Sequence, residues 1–134
     1  MIRNRNLERG ARKRVLTHVI DISAANVQAR GMVDAENDIR ILRIDFVYSV
    51  ATDSGTVPEN IQIGTAATAG KYFAGAPSQS QALGTVQAKT VASTDLLPAG
   101  TALIINKSAA TGGSNTGEVT VCVYYERVDK DSRN

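Results

Sequence analysis

Cys122 and His18 are the chain's single cysteine and single histidine, and there is no tryptophan. Catalytic and metal sites need convergent His, Cys and carboxylate groups, so these two residues leave little to build one from. Cys122 lies in the Val-rich run from Val119 to Tyr125 and can form no intramolecular disulfide, which reads as a small buried hydrophobe. His18 lies in the alternating run Leu16, His18, Ile20, Ile22, where an imidazole belongs to a core or interface and is expected to be hydrogen-bonded. An enzyme would have to gather His18 or Cys122 with a carboxylate, and no spacing in the sequence does so. The expectation is no catalytic residue, no cofactor, no metal and no small-molecule substrate.

Other constellations carry a chemical and a plainer reading. Asp34, Glu36 and Asp38 alternate as in part of a calcium loop, but Ala35 and Ile39 break the glycine and spacing such a loop requires and no terminal glutamate follows in register. A solvated acidic turn fits better. Gly112, Gly113 and Gly117 lack the Gly-Lys-Ser/Thr and the following helix of a phosphate loop, and a strand pattern follows them, as after a hairpin. Arg43 and Asp45 are two apart on one strand face, the spacing of a same-face ion pair or an interface contact. Tyr124 and Tyr125 are consecutive on a strand, so one faces inward and one outward, and an outward tyrosine suits a protein interface.

Charge gives the strongest functional signal. Residues 1–14 hold Arg3, Arg5, Arg9, Arg12, Lys13 and Arg14 against Glu8 alone, a net +5, whereas the whole chain carries +2, so the remaining 120 residues sum to −3. With Ile2 and Leu7 as its only large apolar residues after Met1, this arm has no face to pack on a core and is expected to be extended. The six cations are the candidate partner-binding residues. Three uses remain open: a solvated tail, an arm docking on an acidic protein surface, or non-specific binding of nucleic acid. The last is disfavoured because no aromatic or Arg-Gly repeats interleave with the cations and no zinc or helix-turn-helix pattern follows.

The elements that must position these residues are strands. At 134 residues, 43% hydrophobic and 21% charged, the chain has the size and balance of one folded domain. No run approaches the roughly 18 apolar residues of a spanning helix, and arginines stand where a secretory signal needs an apolar stretch, so neither membrane insertion nor secretion by that route is expected. From Arg40 to Val50, Leu42, Ile44, Phe46, Tyr48 and Val50 share one face, while Ile39 and Ile41 carry the opposite phase. That phase change predicts a β-bulge between Ile41 and Leu42. Val119, Val121, Val123 and Tyr125 mark a second firm strand, and Val15–Ile22, Val27–Val33, Ile61–Thr65, Thr85–Val91 and Thr101–Ser108 supply five more. Ser78–Leu83 has room for a single helical turn. Residues 66–94 are small and polar, with Tyr72, Phe73, Leu83, Val86 and Val91 as the available anchors, and read as a long surface excursion. The prediction is an all-β sandwich or barrel, divided into a basic arm (1–14), a body (15–126) and a polar tail (127–134).

The Ile-x-Ile-Gly-Thr unit at Ile61–Thr65, the Leu-Pro-x-Gly-Thr turn at Leu97–Thr101, and the Gly-rich hairpin leading to a valine strand that ends Tyr-Tyr-Glu together resemble small jelly-roll decoration, or cement, proteins of tailed-bacteriophage capsids. The resemblance spans about residues 25–126. It implies a jelly-roll β-sandwich, a homotrimer made in the host cytoplasm, and a place on the virion surface where it binds the major capsid protein and clamps neighbouring subunits. Rival readings are a tail or spike-base adaptor, a receptor-binding head domain, which six aromatics without tryptophan make weaker, and a nucleic-acid module acting through the arm.

Overall fold

The computed structural model describes residues 13–23, 27–54, 60–77, 81–108 and 115–128. These form eight strands: β1 (Lys13–Asp21), β2 (Val27–Met32), β3 (Asp38–Ser54), β4 (Ile61–Gly64), β5 (Phe73–Gly75), β6 (Val86–Lys89), β7 (Ala102–Lys107) and β8 (Asn115–Val128). They pair antiparallel into two four-stranded sheets, ordered β1-β8-β3-β6 and β2-β7-β4-β5. The chain crosses between sheets so that the last strand lies between the first and third, the strand order of a double-sheet jelly roll. The expected all-β jelly-roll sandwich is therefore the fold. Among the described residues there is no helix; of the segment Ser78–Leu83 that had room for a helical turn, residues 78–80 lie outside the described residues, and Leu83–Gly84 forms a turn.

Alternation decides which faces meet. Ile20, Ile44, Phe46, Tyr48, Val119, Val121 and Val123 of one sheet bury against Ile61, Ile63, Leu103 and Ile105 of the other. Phe46 meets Phe73 edge to face at 5.3 Å between ring centroids, joining the two layers. The predicted phase change on β3 is a bulge: pairing with β8 shifts between Ile41 and Arg43, leaving Leu42 as the extra residue. Ile39 and Ile41 before it and Ile44, Phe46 and Tyr48 after it all reach the core, as the two opposite phases require. Leu42 and Val50, read with that inward face, are instead exposed: Leu42 is the unpaired bulge residue, and Val50 follows a second shift after Tyr48. A third shift, between Val50 and Asp53, is accommodated by Gly117, whose φ of +107° and closeness to Ala51 and Thr52 leave no room for a side chain.

The excursion over residues 66–94 contains β5 and β6, an element pair of which only the second was expected. Its anchors separate: Tyr72 is fully buried and donates a hydrogen bond from its hydroxyl to the Asp95 carbonyl at 3.1 Å, whereas Leu83 and Val86 are exposed and anchor nothing. At the ends, β1 starts at Lys13, two residues inside the expected arm, and β8 runs to Val128, two residues into the expected tail. Lys13 and Arg14 stand opposite Glu126 and Tyr125.

Candidate partner-binding face

β1, β8, β3 and β6 turn one face to the core and the other outward. Register fixes the outward rows. Val15, Tyr124 and Arg43 stand side by side, then Thr17, Cys122, Asp45 and Ala88, then Val19, Thr120, Val47 and Val86. Among the described residues no element covers this face. Val15 is 49% exposed, Val19 51%, Val86 56% and Tyr124 36%, and β1 and β8 also bury side chains on their opposite face. Scattered exposed apolar residues need no explanation, but neighbours in adjacent rows of one sheet make a contiguous patch of the kind that marks a contact surface. Charged groups rim it, with the Arg40–Glu126 ion pair (2.9 Å) beyond the Tyr124 row and Asp21 and Glu118 beyond the Val19 row.

Within the patch, Arg43 grips Asp45 with two parallel contacts, Nε to Oδ1 at 2.9 Å and Nη2 to Oδ2 at 2.7 Å, and its guanidinium lies 5.4 Å from the centre of the Tyr124 ring. The spacing of Arg43 and Asp45 predicts this same-face pair, and the structure shows it. It also shows that Asp45 is only 2% exposed, so its carboxylate is held in place and its charge is balanced by the more exposed Arg43. The hydrogen bond that Arg43 donates to Asp45, and then the Asp45 charge, hold the guanidinium protonated even more firmly than usual. Cys122, beside Asp45, is buried as expected, but on this outer sheet face and not in the core between the sheets. Burial first, and the Asp45 charge second, push its thiol up, which suppresses the reactive thiolate.

Where β1 begins, the patch opens into an apolar groove of about 460 Å³ lined by Lys13, Arg14, Val15, Leu42, Tyr124 and Tyr125. Tyr124 and Tyr125 divide as expected: Tyr125 packs against the core cluster and Tyr124 faces out. Leu42 reaches the groove because the bulge ejects it from the ladder. Of the six candidate cations, Lys13 and Arg14 are therefore brought to the groove, while Arg3, Arg5, Arg9 and Arg12 lie outside the described residues. The arm enters the sandwich here, since Lys13 is the first residue of β1.

The other candidates hold structure together. Asp34 accepts hydrogen bonds from the backbone N–H groups of Glu36 and Asn37, both at 2.9 Å, and Asp38 accepts from the Ala99 N–H at 3.0 Å, so two of the three carboxylates brace turns. Burial alone would raise the Asp34 pKa, but those hydrogen bonds, the Asn37 side chain and the Arg127 charge bring it below the usual carboxylate value. Among the described residues no three His, Cys, Asp or Glu side chains converge. Gly112 and Gly113 lie outside the described residues. His18 faces inward on β1 as its phase requires, yet its Nε2 is buried without a hydrogen-bonding partner, contrary to the expectation of a satisfied imidazole. It borders a cavity of about 90 Å³ between β1 and β2.

Sequence reasoning missed Val15, Val19, Leu42 and Val86 as surface residues with a use. A signal was present for the first two: they lie out of phase with Leu16, Ile20 and Ile22, making β1 apolar on both faces.

No family model matches the chain, and no curated protein matches it. Among solved structures, one of infectious bursal disease virus, Gx strain, is similar at 19% identity and a TM-score of 0.30, over 89% of this chain and 37% of that one. The present chain thus spans little more than a third of that chain's length, and a likeness this distant leaves function to be argued from the residues above.

Proposed function

We propose that this chain is a structural virion protein, a cement or decoration protein that binds the outer surface of a phage capsid and clamps neighbouring major-capsid subunits, without catalysis. The observation that carries this reading is the outer face of β1-β8-β3-β6, uncovered among the described residues: an apolar centre ending in a groove flanked by Lys13 and Arg14, with four more arginines preceding Lys13 in the sequence. Such a surface suits an acidic protein segment with an aliphatic anchor. The anchor moves out of water into the groove, and carboxylates on either side meet the arm and the strand cations.

A homotrimer, as the resemblance implies, presents three such sites to one local region of shell. After the first arm binds, the others engage at a high effective concentration, so weak contacts add to a durable clamp. The same arm could bind nucleic acid electrostatically, but an apolar groove beside it adds nothing to phosphate contacts, which favours a protein partner.

The test is co-sedimentation of the full chain with capsids across a salt series, with variants lacking residues 1–12 or carrying Leu42→Asp. Binding that weakens with salt and falls with either change is expected. Failure of the full chain to associate with shells even at low salt would end this reading, and equal or tighter retention on DNA than on shells would favour the nucleic-acid alternative.

A further inference from the structure

β1 is an edge strand with an unusual lack of protection. Among the described residues nothing pairs with its far side, and at nine residues it is the longest of the edge strands, against six in β2, four in β6 and three in β5. Its pairing with β8 runs without a register shift, and between Arg14 and Asp21 it has no proline and no lysine, arginine or carboxylate. Edge strands are ordinarily blunted by such devices, and a long flat edge without them is a template for another strand.

Hydrogen-bond parity shows what the edge offers. The Ile22 N–H donates to the Gly117 carbonyl at 3.0 Å. In an antiparallel ladder the bonded positions alternate, so even-numbered residues of β1 turn their backbone groups to β8. Lys13, Val15, Thr17, Val19 and Asp21 therefore turn theirs to the open side. The Tyr48 N–H donating to the Thr85 carbonyl fits the same alternation carried across β3 to β6.

We propose that β1 pairs antiparallel with β1 of a second copy, about a two-fold axis through Thr17, joining two sheets into one. In this register Lys13 faces Asp21 at both ends, Val15 faces Val19, and Thr17 faces Thr17. Opposite charges, apolar pairs and a threonine pair are all favourable neighbours across strands. The five open positions of each copy fall opposite one another, giving about ten backbone hydrogen bonds. A shift by two residues would leave Lys13 and Asp21 without their opposite-charge partners, so the charges select this register. On the inner side Leu16 comes opposite His18, closing the mouth between β1 and β2 where the His18 ring borders its cavity. The contact is isologous and therefore closes on itself as a pair. It joins copies two at a time through the β1 edge, and Lys13 and Val15 border both this edge and the groove assigned to the shell.

Sedimentation equilibrium of the full chain at low salt, together with cysteine trapping, tests this. Association through this contact should depend on concentration and join copies in pairs. Lys13→Asp and Asp21→Lys should each weaken it at least roughly tenfold by placing like charges opposite one another at both ends. The double variant should restore it to within about threefold, a rescue that loss of the Asp21–Ser23 turn contact (2.6 Å) could not give. Thr17→Cys, made with Cys122→Ser because Cys122 is its neighbour on β8, should form a disulfide-linked dimer under mild oxidation, while Val15→Cys in the same background should not. A folded wild-type chain that stays monomeric into the millimolar range, a double variant no better than the singles, or cross-linking through position 15 and not 17 would each overturn the proposal.

Discussion

Tyr72 offers the sharpest test of how the small-residue excursion is held. It is fully buried, its hydroxyl donates to the Asp95 carbonyl, and its backbone links to Ile63 on one side and Ala92 on the other. Replacing it with alanine removes an aromatic side chain of about 150–250 Å² from the core. At ~25 cal/mol per Å² that is about 4–6 kcal/mol, and measured aromatic-to-alanine losses of about 3–5 kcal/mol agree. Replacing it with phenylalanine removes only the hydrogen bond, about 1 kcal/mol. With a urea slope of about 2 kcal/mol per molar, the Tyr72→Ala midpoint should fall by about 2 M and that of Tyr72→Phe by about 0.5 M. Leu83→Ala, at a residue 69% exposed in the same excursion, should move the midpoint by about 0.25 M or less. Far-UV circular dichroism in urea reads all three. If Tyr72→Ala shifted the midpoint no further than Leu83→Ala, the excursion would not be anchored as described.

Gly117→Ala should lower the melting temperature by about 10 °C and Gly84→Ala by about 4 °C: both have positive φ, but a Cβ at 117 meets Thr52 Cα at 2.7 Å while one at 84 meets nothing within 4 Å. Because Asp34 has a folded pKa below its unfolded value, its contribution is present above the ordinary carboxylate pKa and is lost as pH falls through the folded value. Urea midpoints measured from about pH 5 downward should therefore fall less steeply in Asp34→Asn than in the wild type. Cys122 should react with a disulfide reagent at least roughly tenfold more slowly in the folded chain than in urea at the same pH, since burial and the Asp45 charge both oppose its thiolate; equal rates would contradict its placement.

Much of the fold was legible because burial on one face of a strand imposes a period of two. Ile44, Phe46 and Tyr48 declared β3, the switch from Ile41 to Leu42 declared its bulge, and Val119 to Val123 declared β8. β5 escaped because three residues, Phe73 to Gly75, are too few to show a period, and it exists only because β4 pairs with it. Leu83 and Val86 misled because apolar character alone does not say which face a residue occupies. The site was half legible. Charge asymmetry marked Lys13 and Arg14, but the groove beside them depends on Leu42 being ejected, and the apolar outer face depends on which strands become neighbours. Pairings across more than eighty positions, such as Arg40 with Glu126, cannot be read from local pattern.

The antiparallel pairing of β1 with β8 places Lys13 beside Glu126, so the start of the first strand and the end of the last lie at one corner of the sandwich. Tension drawn between the two ends would unzip these strands bond by bond, at low force. Tension drawn between the arm and the opposite end of the sandwich would run along β1 and strain its whole ladder together, which resists far more. A protein tethered by its arm and braced at its distal loops is thus loaded along its stiff axis, and the corner that makes it easy to peel in one direction makes it hard to pull apart in the other.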